Sequence, residues 1–205
     1  MVSNKELQEK RMRGYFIEAA KEILKGEGVK ALNVRAVSER AGYSFATLYN
    51  YFKDLNELTF ICVQDFLDEC DAFADAQSLG RIIGVERMKI RMKAVINYFT
   101  QYPGIFELCF VEKMNDLGSR QSTGRMIFDL TDKIASDDLG AMIADGLISE
   151  SQAKIIGMSL RNSIAGMLIF YLNRLQPADY KEFMKIVENQ LDSAIGLNGI
   201  SPDQV

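Results

Sequence analysis

Histidine and tryptophan are absent from the 205 residues, and proline and cysteine occur three times each. Without histidine the chain has neither the commonest general base nor the commonest metal ligand, which excludes serine-histidine and cysteine-histidine catalysis and histidine-built zinc sites. Cys62, Cys70 and Cys109 are too few and too scattered for a disulfide framework or a zinc cluster, so they read as thiols serving as small buried hydrophobes. Phosphate-loop and dinucleotide glycine patterns are missing as well; no enzyme, cofactor or metal is expected. No uncharged stretch reaches 18 residues, so no segment is read as crossing a membrane, and the polar start, Met1 to Lys10, lacks the apolar core of a secretory signal. The expected location is the cytoplasm.

What is present is a globular composition, 48% hydrophobic and 25% charged, and the scarcity of proline suits a chain made mostly of helix. The net charge of −4 is unevenly spread: Met1 to Glu57 holds ten Lys/Arg against eight Asp/Glu, the remainder fourteen against twenty. A weakly basic head on an acidic body suits a protein that touches phosphates with one end only.

Apolar residues spaced by three or four, Met12, Phe16, Ala19, Ala20 and Ile23, predict an amphipathic helix over Lys10 to Lys25, ended by Gly26 and Gly28. Asn33 caps a short helix through Val34, Val37 and Ala41, which Gly42 stops; Ser44 caps the next, which carries Leu48, Tyr49 and Phe52. Three helices with a tight glycine turn before the last form the layout of a helix-turn-helix. Longer helices are expected over Leu55 to Ala76, Val85 to Tyr102, from Pro103 through Phe106, Phe110 and Met114, and over Met126 to Ala144. Loops fall at Asp75 to Gly84 and Leu117 to Gly124. A capping box of Ser149 and Gln152 opens a helix reaching about Leu175, and Pro177 opens the last one, ending near Gly196. No strand pattern is found, so the fold class is all-α, with about nine helices.

The stretch from Gly28 to Leu58, GVKALNVRAVSERAGYSFATLYNYFKDLNEL, concentrates the chemistry. Val34, Val37, Ala41, Leu48 and Phe52 must be apolar if two short helices are to cross, and Gly42 serves a positive φ. The outward face of the third helix keeps Ser44, Phe45, Thr47, Tyr49, Asn50 and Lys53, groups suited to phosphate oxygens and base edges. The stretch resembles the DNA-binding signature of the TetR family of transcriptional regulators in Gly28, Ala41-Gly42, Ser44, Thr47-Leu48-Tyr49, Tyr51-Phe52 and Leu58. The resemblance implies that Thr47 and Tyr49 contact phosphates or nearby bases, that Lys53 meets a phosphate just past the recognition helix, and that Arg35 meets another. Phe45 and Asn50 depart from the basic and the basic or aromatic residues frequent at those places, while Ala46 is one of the small residues frequent at its own; Phe45 cannot donate a hydrogen bond, but it can press on a thymine methyl. Lys5, Lys10, Arg11 and Arg13, with Glu6 and Glu9 among them, form either a basic arm for the minor groove or a frayed, solvated terminus.

Beyond the head, Met88, Met92, Val95, Phe99 and Tyr102 make one apolar stripe and Phe106, Phe110 and Met114 another. Such stripes are ordinarily core. The resemblance implies instead a helical domain that binds an effector and dimerises, which divides the chain into a DNA-binding domain, residues 1–54, and an effector-binding and dimerisation domain, residues 55–205. The implied effector pocket is Phe99, Tyr102, Phe106, Phe110, Met114, Met126 and Arg161, with Asn97 and Tyr98 as further polar contacts; methionines and aromatics suit an adaptable apolar ligand. Gly157 to Leu175 is nearly continuous in apolar and small residues, but Arg161, Asn162, Asn173 and Arg174 argue against a membrane. By the same resemblance the last two helices form a homodimer through Ile164, Met167, Leu168, Tyr171, Phe183, Val187 and Leu191. The expected function is a regulator, a repressor released from palindromic double-stranded DNA by a small, mostly apolar effector. The alternative is a DNA-binding regulator without such an effector, controlled by a protein partner or constitutive.

Overall fold

Helix caps set the element boundaries. In the computed structural model, which describes residues 3–112 and 120–196 and only the backbone of 120–122, the first helix, α1 (Asn4–Gly26), begins with a capping box: Ser3 accepts from the Glu6 backbone and the Glu6 carboxylate accepts from that of Ser3. The helix therefore starts six residues before the expected Lys10, and Lys5, Lys10 and Arg11 lie exposed along it rather than in an arm or a frayed end. A short 3₁₀ turn (Val29–Ala31) follows. Next come α2 (Val34–Ala41), capped by the Asn33 side chain on the Ala36 amide, and α3 (Phe45–Tyr49), capped by Ser44 on Thr47. Gly42 lies between them at φ 76°, the left-handed conformation expected of it. Phe52 falls just past α3 but is buried all the same.

The longer helices are α4 (Leu55–Gln77), α5 (Val85–Gln101), α7 (Arg120–Ala144), α8 (Glu150–Leu172) and α9 (Tyr180–Ile195), with a single turn, α6 (Pro103–Phe106), between α5 and α7. Every element among the described residues is helical. Several expectations need correction. After Phe106 the chain winds into a π turn, Glu107–Val111, and the helix stops at Glu112. Gly124 sits inside α7 rather than in a loop. The Ser149–Gln152 capping box is present, but α8 ends at Leu172, and Asp179, not Pro177, caps α9.

The chain divides into two compact units, Met1–Asp68 with Tyr102–Ile127, and Glu69–Gln101 with Phe128–Val205. In the first, Phe16, Ala20, Ile23 and Leu24 of α1 are buried together with Val37, Leu48, Phe52 and Leu58. Phe16 is the hub: its ring lies 5.8 Å from Tyr43, 6.3 Å from Tyr51 and 6.2 Å from Phe52, the last edge-on. α6 approaches α1 so closely that a Cβ on Gly104 would stand 2.5 Å from the Leu24 carbonyl oxygen, so only glycine fits there.

In the second unit α5 packs on α8 and α9. Met88, Met92, Val95 and Phe99 are buried, as are Ile156, Leu160, Ile164 and Leu168 of α8 and Phe183, Val187 and Leu191 of α9. A charged cluster is buried too. Asp138, 0% exposed, accepts from the Gly84 amide at 2.8 Å and Arg87 Nε at 2.7 Å, while Arg91 donates to Asp75 at 2.6 Å. α8 is long and apolar enough by length and composition to cross a membrane, yet Arg161 at its middle pairs with Asp132 at 2.5 Å, and one flank packs on α9. Its other flank leaves Ile155, Met158, Ile169 and Phe170 exposed.

Candidate nucleic-acid interface

The first unit builds a polar outer face from local interactions. Ser44 Oγ lies 2.9 Å from Thr47 Oγ1 and accepts from the Thr47 amide at 3.1 Å, so both hydroxyls help to define the start of α3. Leu48 is buried and anchors the helix by its opposite side, leaving Phe45 65% exposed and Tyr49 51% exposed. Ala46, Asn50 and Lys53 are exposed as well, and Thr47 is half-buried. Arg35 points out from α2 and makes a 3.5 Å pair with Glu39; a solvated pair of this kind is easily exchanged for a phosphate. All seven residues expected to read DNA thus lie on this unit, the only partly covered one being Thr47.

Arg13, read from sequence as part of either a basic arm or a frayed terminus, instead supports the segment after α3. Its guanidinium donates to the Tyr51 carbonyl, lies 3.4 Å from Glu57 and covers the Phe52 ring at 4.4 Å. Glu57 in turn accepts from the Lys53 amide at 2.8 Å, while Asp54 caps α4 by accepting from the Glu57 amide at 2.8 Å. The chain carrying Lys53 is therefore fixed at both ends. The exposed Tyr15–Tyr43 stack, with centroids 6.0 Å apart, was missed from sequence; nothing in the spacing of two residues 28 positions apart announces it.

The effector residues are divided between the two units. In the first, Phe106 is buried and stacks on Phe110 at 5.0 Å, Tyr102 lies under the Lys25 ammonium at 5.1 Å, and Met126 Sδ accepts from the Gln64 amide at 3.8 Å. In the second, Phe99 is buried edge-on to Tyr98 at 5.5 Å. Tyr98 donates to Glu69 at 3.2 Å, Asn97 accepts from Tyr180 at 2.8 Å, and Arg161 is held by Asp132 and lies 3.7 Å over the Phe128 ring. Met114 lies outside the described residues. The second unit has a depression of about 600 Å³ bordered by residues 80–87, Ala141, Met142, Asp145 and Leu147. Another, of about 560 Å³ along α7 and α8, is lined in part by Leu139, Ile143, Ala153, Gly157 and Met158. Neither contains a residue of the expected effector set.

Of the expected dimer residues, Ile164, Leu168, Phe183, Val187 and Leu191 are turned inward and buried within the chain itself. Tyr171 stacks flat on Phe183 at 4.0 Å, and Met167 is half-buried. The exposed apolar flank of α8 and α9 is a different stripe: Ile155, Met158, Ile169, Phe170 and Ile186. A helix apolar on nearly every side does not disclose which side its own neighbours take. Burial pushes the Cys62 and Cys109 thiols up to about 12, leaving no thiolate at neutral pH. Among the described residues no three acidic or cysteine side chains gather to hold a metal ion.

Residues 16–59 match the family of bacterial regulatory proteins of the tetR type. No curated protein sequence matches the chain. Among solved structures, a TetR family transcription regulator from Marinobacter aquaeolei VT8 superposes with a TM-score of 0.65 at 16% identity, over 92% of this chain and 97% of that one. The regulator FadR from Bacillus subtilis, solved with stearoyl-CoA, gives 0.70 at 16% identity over 92% and 99%. RolR, solved with resorcinol, gives 0.64 at 15% identity over 97% and 92%.

Proposed function

We propose that this chain is a homodimeric, cytoplasmic transcription regulator and not an enzyme, a repressor released from a palindromic operator by a small, mostly apolar effector; the match of residues 16–59 to the tetR family of bacterial regulatory proteins and the TetR-like fold support the reading. Residues 1–54 bind double-stranded DNA, with Arg35, Tyr49 and Lys53 on phosphates and Ser44, Phe45, Thr47 and Asn50 toward the bases; residues 55–205 take the effector and the second copy. The observation that carries this reading is the exposed face of α3, whose apolar side is spent on Leu48 in the core and whose other side is unoccupied by the chain itself.

The second copy covers the flank of Ile155, Met158, Ile169, Phe170 and Ile186, because exposed large apolar side chains gathered on α8 and α9 mark an interaction site. A homodimer carries two recognition helices, which a palindromic duplex meets in major grooves about 34 Å or a small multiple apart. The effector engages Tyr102, Phe106, Phe110 and Met126 of the first unit. The reading is supported by the stearoyl-CoA and resorcinol complexes of structurally similar regulators, the first ligand carrying a long acyl chain and the second an aromatic ring. For a hundredfold release, the effector must prefer the released form by about 2.7 kcal/mol.

Fluorescence anisotropy on duplexes selected from a random pool tests both halves. The Tyr49→Ala/Lys53→Ala double variant is expected to lose at least tenfold in affinity, and unchanged affinity rejects the α3 face. With an effector found by screening acyl and aromatic compounds for release, Phe110→Ala is expected to blunt release while leaving ligand-free binding intact. An unaltered response removes the pocket and favours a regulator without a small-molecule effector.

A further inference from the structure

We infer that the DNA sequence this chain reads is built on A·T pairs, recognised through thymine methyl groups and adenine, with no guanine read by α3. The inference rests on the DNA-binding role proposed above and names its specificity. It follows from what α3 exposes and what it lacks. Between Ser44 and Asn50 there is no lysine or arginine, and a bidentate arginine or lysine on guanine O6 and N7 is the commonest specific contact in the major groove. The flanking cations are elsewhere: Lys53 follows the helix on a segment fixed by Glu57, and Arg35 lies on α2, positions that face phosphates when a helix-turn-helix docks, while Arg40 at the end of α2 is paired with Glu22 and Glu27.

The remaining groups have their own preferences. Phe45 is 65% exposed on the outer face, a phenyl ring that neither donates nor accepts, and in the major groove the group that rewards apolar contact is the thymine 5-methyl. Ala46 beside it is exposed and is another methyl-contacting residue type. Asn50 is exposed at the end of α3 and is the side chain that pairs with adenine N6 and N7 in bidentate fashion. Ser44 and Thr47, which contact either kind of pair, have their hydroxyls turned to each other at 2.9 Å. Tyr49 offers a single hydroxyl. Three of the exposed groups therefore favour A·T, and none is of the type that makes the strong guanine contact.

The experiment uses the full chain and a randomised duplex pool, followed by substitution in the selected sequence. Selection is expected to enrich A·T pairs at the centre of each half-site. Replacing each selected thymine by deoxyuridine, which removes only the methyl group, is expected to weaken binding about fourfold at the contacted positions, the worth of one buried methyl. Phe45→Ala removes that sensitivity, and 5-methylcytosine in a G·C-substituted site restores part of the affinity that cytosine does not. Asn50→Ala relaxes the preference for adenine at its position only. Enrichment of G·C at the half-site centre, or indifference to deoxyuridine at every thymine, overturns the inference while leaving DNA binding in place. Failure to retain any duplex from the pool at low salt overturns the DNA-binding reading itself, and the inference with it.

Discussion

The outer face of α3 and the outer flank of α8 are equally bare, yet they are made of opposite materials. α3 shows Phe45 and Tyr49 among hydroxyl, amide and cationic groups, each able to make one directional or one shape-specific contact. α8 shows Ile155, Met158, Ile169 and Phe170, which make no directional contact and gain simply by leaving water. The contrast separates two kinds of partner. A surface of mixed polar groups on a small, firmly capped helix suits a ligand with a repeating pattern of acceptors and methyls; a wide apolar flank on a long helix suits a copy of itself. The comparison can be broken at either surface, or at the buried cluster that supports the second.

The largest effect is expected at the apolar flank. Phe170 is 56% exposed, and a twofold interface contains it twice, so Phe170→Glu removes the burial of the exposed half of two phenyl groups, about 2–3 kcal/mol per dimer, and two carboxylates held in the interface add several more. Sedimentation velocity should show dimer giving way to monomer, with circular dichroism unchanged because more than half of the side chain faces solvent in the single chain. An unshifted dimer constant moves the interface to another face.

A slightly smaller loss is expected inside the second unit. Asp138→Ala removes the 2.7 Å partner of Arg87, leaving it Asp137 at 3.9 Å, while Arg91 keeps Asp75 at 2.6 Å; breaking the one close pair to a fully buried carboxylate costs about 3 kcal/mol. Urea denaturation should register it, with Asp138→Asn milder because the amide oxygen still accepts from the Gly84 amide. A loss under 1 kcal/mol would mean that water reaches the cluster and the arginines are solvated.

These two sites also mark where sequence ceases to be informative. The caps at Asn33, Ser44 and Ser149 and the left-handed Gly42 were legible because each depends on residues within four positions, and the outward face of α3 followed from them. The Ser3–Glu6 box had the same local signature and lay unread beneath the charge pattern of Lys5, Lys10 and Arg11. Asp138 was illegible: its partner Arg87 is 51 positions away, and nothing near it in the chain says that a charge will be buried. The direction of α8 was illegible for a different reason. With apolar residues all round, α5 and α9 decide which stripe turns inward, and they took Ile164 and Leu168, the very residues expected to face a second copy.

The smallest effect sharpens the polar side of the comparison. Lys53 makes no side-chain ion pair with the carboxylate nearest its backbone, Glu57, which instead receives the Lys53 amide and the Arg13 guanidinium. Its ammonium is thus free to replace a counterion on a phosphate, and it follows α3 instead of lying on it, so it should strengthen binding to any duplex without choosing among them. Lys53→Ala is expected to lower the slope of log affinity against log salt by about one unit per copy of the chain. The loss should be the same for selected and scrambled duplexes, while Phe45→Ala lowers affinity for the selected duplex alone. Anisotropy titrations at four salt concentrations with both duplexes distinguish the two. A Lys53→Ala loss confined to the selected sequence would place the lysine on a base edge, and the division of labour between α3 and the segment that follows it would have to be redrawn.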